Sequence, residues 1–274
     1  MSAHTQDQIR DAVRDRYARV ASENESCCGP ARCGDTDQAR ETSQAIGYSA
    51  EELEGLPADA NLGLGCGNPT AIASLLEGQT VLDLGSGGGI DCFLAARQVG
   101  STGRVIGVDM TPEMISRARA NAASGGFANV EFRLGEIENL PVADGTVDVI
   151  ISNCVLNLSP DRARVLREAY RVLKPGGRMV VSDMVSEHEV PEPLAGNLDA
   201  VAACLPTPRQ RYLEEFRAAG FADARITREN PYPAEYVLGD AGVQAFLAAH
   251  EDVRAELEAF AGSIAGGVIE GTKG

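Results

Sequence analysis

The sequence is short of positive charge and of histidine, and it has no long apolar run. Of 274 residues, 24 are Lys or Arg and 40 are Asp or Glu, a formal net charge of −16. Such a field repels phosphate backbones and argues against a nucleic-acid partner. Acidity otherwise serves solubility. No stretch approaches the ~20 apolar residues that a membrane-spanning helix needs. The first residues, Met1-Ser2-Ala3-His4-Thr5-Gln6-Asp7, are polar and lack the apolar region of a secretory leader. A cytoplasmic protein with no membrane partner is therefore expected. The three histidines, His4, His188 and His250, are scattered among polar neighbours. No Ser-His-Asp arrangement or carboxylate pair stands out, so the familiar hydrolytic machineries are not in view.

Sulfur, by contrast, is present. The seven cysteines are Cys27, Cys28, Cys33, Cys66, Cys92, Cys154 and Cys204. Their odd number, with no leader before them, argues against a disulfide framework. In a reducing compartment cysteines are buried hydrophobes, metal ligands or redox groups. Cys27, Cys28 and Cys33 share a loop with Gly29, Pro30 and Gly34. A zinc or iron–sulfur fragment would need a second C-x-x-C pair, which does not follow. Cys92 comes directly after Asp91 at the start of a helix and is expected to pack against a sheet.

Along the chain, Ile9, Val13, Tyr17 and Val20 recur at helical spacing over 6–23. Ser49 and Glu52 have the spacing of a capping box. The glycine-rich run 61–69 is expected to be a loop. From about Gly78, strand and helix alternate. Strands are expected at 81–84, 104–109, 130–134, 147–151 and 178–182, with helices at 90–98, after Thr111-Pro112, and at 161–173. This rhythm predicts βαβ units and a mostly parallel sheet. Beyond Asp183 one helix is expected at 194–204, another at 209–219, a strand at 224–227 and an alanine-rich helical tail at 241–260. The last residues look frayed. Tyr170 and Tyr212 are expected to be packing groups within their helices.

The strongest motif is Asp83-Leu84-Gly85-Ser86-Gly87-Gly88-Gly89, between a strand and a helix. Glycines there let the backbone turn tightly and approach a ligand. Asp83 precedes them and can neutralise a cationic ligand. Asp109, followed by Met110, ends the next strand, where a carboxylate accepts hydrogen bonds from both ribose hydroxyls. Gly135-Glu136-Ile137 closes the third strand, where a polar and an apolar residue can hold an adenine. Dinucleotide enzymes share this spacing, but the glycines are not in their G-x-G-x-x-G form. The order of Asp83, Gly85, Ser86, Gly87, Asp109, Met110, Glu136 and Ile137 resembles the S-adenosylmethionine site of Rossmann-like class I methyltransferases. Asn153, past the fourth strand on the ligand-binding edge of such sheets, is counted with this site.

Cys154 lies on that same edge. The stretches Asn61-Leu62-Gly63-Leu64-Gly65-Cys66-Gly67-Asn68-Pro69, Asp83 to Cys92, and Ser152-Asn153-Cys154-Val155-Leu156-Asn157-Leu158 together resemble the arsenite S-adenosylmethionine methyltransferase family. The match covers about residues 61–221. The resemblance implies that trivalent arsenic, as arsenite or methylarsenite, is held by Cys66, Cys154 and Cys204. It also implies an N-terminal relay cysteine, assigned to Cys28 with Cys27 and Cys33 as rivals. A thiol reductant, glutathione or thioredoxin, would reset it. Soft thiolates suit a soft thiophilic centre. The run after Cys204, Leu205-Pro206-Thr207-Pro208, departs from the small residues and glycines usual in the family.

The division expected is an N-terminal helix and cysteine loop (1–60), a cofactor-binding domain (61–190) and a C-terminal substrate-binding region (191–274). Two rival functions remain. A methyltransferase of small organic molecules, such as a quinone precursor, would treat the cysteines as packing. A non-catalytic As(III)-binding protein would ignore the cofactor.

Overall fold

The protein was analysed as a computed structural model, which describes residues 4–23, 36–238, 243–244, 247–248 and 253–274. Its centre is one sheet. The strands are β1 (Thr80–Leu84), β2 (Arg104–Asp109), β3 (Val130–Leu134), β4 (Val147–Asn153), β5 (Leu173–Ser186), β6 (Thr207–Pro208), β7 (Arg225–Pro231) and β8 (Ala265–Thr272). They lie in the order β3-β2-β1-β4-β5-β8-β7, with β6 pairing β5. Strands β1 to β5 run parallel, and β8 is antiparallel to both β5 and β7.

Both faces of the parallel strands are buried, which is why β1 and β4 carry apolar residues at adjacent positions, Val81-Leu82 and Val149-Ile150-Ile151. Leu82, Leu84, Ile150 and Val181 face one layer, packed with Val165, Ala169, Tyr212 and Phe216. Val81, Val149, Ile151 and Val180 face the other, packed with Phe93, Ala96, Ile115 and Ala118. The helices behind these layers are α5 (Ile90–Val99), α6 (Pro112–Gly125), α7 (Arg162–Val172) and α10 (Arg209–Ala218). Asp161 starts α7 by accepting from the Arg164 N–H. At Thr111 the Pro at the first helical position is as expected, but the Thr side chain makes no capping hydrogen bond.

The N-terminal helix α1 (Gln6–Glu23) buries Val13 and Val20 and packs against α6 and α9 (Leu198–Ala202). Helices α2 (Thr36–Ala45), α3 (Ala50–Leu53) and α4 (Pro69–Ile72) follow, and α3 opens with the Ser49–Glu52 capping box. Two expectations are corrected here. The single helix expected at 194–204 is two, α8 (Glu192–Ala195) and α9, because Asn197 restarts the helix by capping the N–H groups of Asp199 and Ala200. The last residues are not frayed: they form β8, whose Ile269 pairs with Val181. Its glycines hid it, and each fills a close approach. A Cβ on Gly271 would sit 2.8 Å from Phe221, and one on Gly266 would sit 2.9 Å from the Cys66 carbonyl oxygen. Between α11 (Ala234–Leu238) and α12 (Arg254–Gly262) only five residues are described. Strands β7 and β8, from the region beyond 191, complete the same sheet as β1 to β5.

Candidate active site

A cleft opens at the carboxyl ends of β1, β2 and β4. The glycine loop turns under it with Gly85, Gly87 and Gly89 at φ of 72°, 50° and 99°, the left-handed region that favours glycine. Gly85 and Ser86 donate their N–H groups to the Val108 carbonyl. The Asp109 carboxylate accepts from the N–H groups of Gly87 and Thr111 at 3.0 and 2.8 Å. Burial raises the Asp109 carboxyl above its ordinary value. Asp83 is buried, and burial reinforced by Asp91 pushes its carboxyl well up.

These groups fit S-adenosylmethionine. The Ser86 hydroxyl lines the cleft and is buried without a hydrogen-bond partner among the described residues. A Cβ on Gly85 would collide with Val155 at 2.4 Å, so no side chain can replace it. Of the residues expected here, Asp83, Gly85, Ser86, Gly87, Asp109, Met110, Ile137 and Asn153 line the cleft. Glu136 is placed elsewhere: its side chain, 43% exposed, faces Arg10 and Arg14. The acid that lines the cleft is Glu138, buried and accepting from Ser159 Oγ at 2.6 Å. The chain leaves β3 at Leu134 and turns at 137–138, so positions 136 and 138 no longer share a strand face.

Asn153 joins this cleft to the cysteines. Its Oδ1 accepts from the Cys66 N–H at 2.9 Å. Its Nδ2 donates to the Gly67 carbonyl at 2.7 Å and the Tyr48 hydroxyl at 2.8 Å, with Asp91 Oδ2 at 3.3 Å. Tyr48 donates in turn to Asp91 Oδ1 at 2.8 Å. A Cβ on Gly65 would strike the Asn153 carboxamide at 2.8 Å.

The sulfurs of Cys66, Cys154 and Cys204 come together from three separate segments. Cys66 and Cys154 are joined in a disulfide with Cα atoms 5.7 Å apart. Cys204 Sγ lies 3.6 Å from Cys154 Sγ. Cys154 and Cys204 have φ of 60° and 68°, a region non-glycine residues avoid and which concentrates at functional sites. Cys154 is pinned there by its N–H bond to the Ser182 carbonyl at 2.7 Å. Beside them is Asp183, fully buried in the last part of β5; its carboxylate and the sulfurs of Cys66 and Cys154 lie within 4.8 Å of one another. Burial lifts the Asp183 carboxyl to about 6, against the stabilising hydrogen bonds from Met184 N–H and the Tyr212 hydroxyl.

Cys92 is elsewhere: it is buried in the core behind β1, and its thiol donates to Asp83 Oδ2 at 3.2 Å. Burial pushes that thiol well up, which makes it inert. Cys27, Cys28 and Cys33 lie outside the described residues. Tyr48, Asp91, Glu138 and Asp183 were not singled out in the sequence. An apolar strand ending in acid, Val180-Val181-Ser182-Asp183, was the available signal for the last.

No helix among the described residues is long and apolar enough to cross a membrane. Residues 75–220 match a family model described as a methyltransferase domain. An arsenite methyltransferase of Halobacterium salinarum is 50% identical over 208 residues, 73% of this chain and 53% of that protein. One of Aquipseudomonas alcaligenes is 46% identical over 178 residues, 61% of this chain and 50% of that protein. The chain thus spans about half the length of the curated relatives it matches. The solved structure of an arsenic(III) S-adenosylmethionine methyltransferase from Chlamydomonas reinhardtii is similar with a TM-score of 0.62 and 32% identity, covering 86% of this chain and 73% of that one. With its parallel sheet, glycine loop and gathered sulfurs, the chain belongs to the arsenite S-adenosylmethionine methyltransferase family.

Proposed function

We propose that this chain methylates trivalent arsenic, arsenite or methylarsenite, held on the thiolates of Cys66, Cys154 and Cys204, as a detoxification step. The observation that carries the reading is the convergence of three sulfurs at the mouth of the cofactor cleft, with Cys154 lining that cleft. S-adenosylmethionine, when bound, supplies an electrophilic methyl on a sulfonium. Asp109 holds its ribose, Ile137 and Glu138 flank its adenine, and Ser86 has a free hydroxyl for it. Asp83 and Asp91 line the cleft, and a bound cation would favour their ionised forms. The three thiolates hold arsenic as a pyramid and leave its lone pair available. No general base is needed, because bound arsenic carries no proton to lose. The chain's contribution is then positioning and exclusion of water.

The thiols must be reduced to bind arsenic. Opening the Cys66–Cys154 bond takes two electrons and two protons, which glutathione or thioredoxin would supply. Cys28 is our choice of relay to that reductant. Keeping these thiols open calls for a reducing compartment, and the cytoplasm is our choice for it.

Reduced protein incubated with arsenite, S-adenosylmethionine and a thiol, followed by separation of arsenic species with mass detection, tests this reading. Methylated arsenic from the wild type but not from Cys154→Ser supports it. Unchanged arsenite, with the cofactor shown to bind, refutes it and favours an organic acceptor.

A further inference from the structure

The mechanism above leaves one buried charge unused. Asp183 sits in the last part of β5, before Ser186, with no solvent exposure. Four donors hold its carboxylate. Oδ1 accepts from Met184 N–H at 2.9 Å and Asn157 Nδ2 at 3.0 Å, while Oδ2 accepts from Tyr212 Oη at 3.0 Å and Asn157 N–H at 3.1 Å. Bonds of this kind favour the ionised form. The Arg162 guanidinium favours the Asp183 anion through space but makes no hydrogen bond to it. Arg162 is committed to Glu215 through two bonds, at 2.5 and 3.0 Å, and lies over the Tyr212 ring.

A fifth donor points at the site. The Cys204 thiol donates to Asp183 Oδ1 at 3.7 Å. An anion beside a cysteine opposes formation of the thiolate, so Asp183 is a poor device for activating Cys204. Its value lies at a later point in the reaction. When arsenic binds, each thiol proton leaves with an arsenite hydroxyl as water, and the resulting tris-thiolate is neutral. The Asp183 edge that faced the Cys204 thiol then faces the arsenic.

We propose that Asp183 stabilises the positive charge that arsenic acquires as it takes up the methyl group. The inference rests on the arsenic-methylation reading above. The arsenic lone pair forms the As–C bond. The bond from the sulfonium sulfur to the methyl carbon breaks, and its electron pair stays on that sulfur. Arsenic is oxidised from the trivalent to the pentavalent state and the positive charge moves to it. No other reactant enters. A fixed, water-free anion beside the arsenic attracts that charge more strongly in the transition state than in the neutral tris-thiolate. Interactions of this differential kind raise the rate of the chemical step.

The test compares Asp183→Asn and Asp183→Ser, which remove the charge with side chains of different size, with Tyr212→Phe, which removes one hydrogen bond and leaves the charge. Three quantities are read on reduced protein: single-turnover methyl transfer, arsenite affinity from sulfur-to-arsenic absorption, and the rate at which iodoacetamide alkylates Cys204, followed by peptide mass spectrometry. Both neutral variants should transfer methyl about 100-fold more slowly. Their arsenite affinity should stay within about threefold of wild type, because bound arsenite is neutral. Cys204 should alkylate several-fold faster at neutral pH, the opposite direction to activity and one that a merely structural role would not produce. Tyr212→Phe should lose less than about tenfold in transfer.

Transfer within about threefold of wild type in the neutral variants overturns the proposal. Parallel loss of arsenite or cofactor binding in both variants, which marks a residue that only holds the fold, overturns it equally. A wild type that binds arsenite and cofactor but transfers no methyl contradicts the functional reading itself. That result is distinguishable, because it appears before any variant is made.

Discussion

The backbone N–H of Cys66 and the side-chain oxygen of Asn153 meet at 2.9 Å, so a residue of the cleft holds the loop of a cysteine that we propose binds arsenic. The other end of the same carboxamide reaches Tyr48 and Asp91. Asn153→Ala strands several buried polar groups, at about 1–3 kcal/mol for such a loss. Arsenite affinity should fall about tenfold or more. Titration of the reduced variant with arsenite checks this, and affinity equal to wild type would show that Asn153 does not position Cys66.

The approach of β8 to the same loop gives a second expectation. Alanine at Gly266 would bring a Cβ to 2.9 Å from the Cys66 carbonyl, so the loop or the strand must shift. Gly266→Ala should weaken arsenite binding by about tenfold while cofactor binding holds. Gly262→Ala, where a Cβ meets nothing within 4 Å, serves as the control. Equal arsenite affinity in both variants would remove β8 from the account.

Backbone strain at Cys204 can be separated from its thiol. At φ of 68° a Cβ is disfavoured, by roughly 1–2 kcal/mol. Cys204→Gly should therefore be more stable than Cys204→Ala by about 1 kcal/mol, although both lack the sulfur. Urea midpoints at matched slopes give the comparison. An alanine variant as stable as the glycine one would mean that the left-handed conformation stores nothing.

Much of this was legible in the sequence, for identifiable reasons. The parallel strands announce themselves because both faces are buried, so Val81-Leu82 and Val149-Ile150-Ile151 are unbroken apolar runs. The glycine loop and Asp109 sit at fixed offsets from those strands, so the cofactor cleft followed. Strand β8 did not, because Gly266, Gly267 and Gly271 answer to neighbours distant in the chain. Asn153 and Asp183 act through partners 87 and 29 residues away, at Cys66 and Tyr212, and no local pattern encodes such pairings. Glu138 rather than Glu136 lines the cleft because the chain turns at 137–138 and separates two positions that a strand would keep on one face.

The buried carboxylates fix the sign of a pH effect. Burial raises Asp83, Asp91, Asp109 and Asp183, the last from an ordinary 3.8 to about 6. The folded protein therefore binds protons more tightly than the unfolded chain does. That stability is fully present below about 4 and is lost as pH rises through about 6. Thermal melts without cofactor should show Tm falling between pH 5 and 7. Asp91→Asn should flatten the slope, and an unchanged slope would mean that this carboxyl titrates normally.

The central claim is tested most directly by following the methyl group. Reduced wild-type protein, arsenite, a thiol and S-adenosylmethionine with an isotopically labelled methyl are mixed, and the label is traced by mass. The account predicts labelled methylarsenic from the wild type and none from Cys66→Ser or Cys154→Ser, with the cofactor bound in all three. Labelled arsenic formed equally by the serine variants would contradict it, because arsenic would then be methylated away from the three-sulfur site.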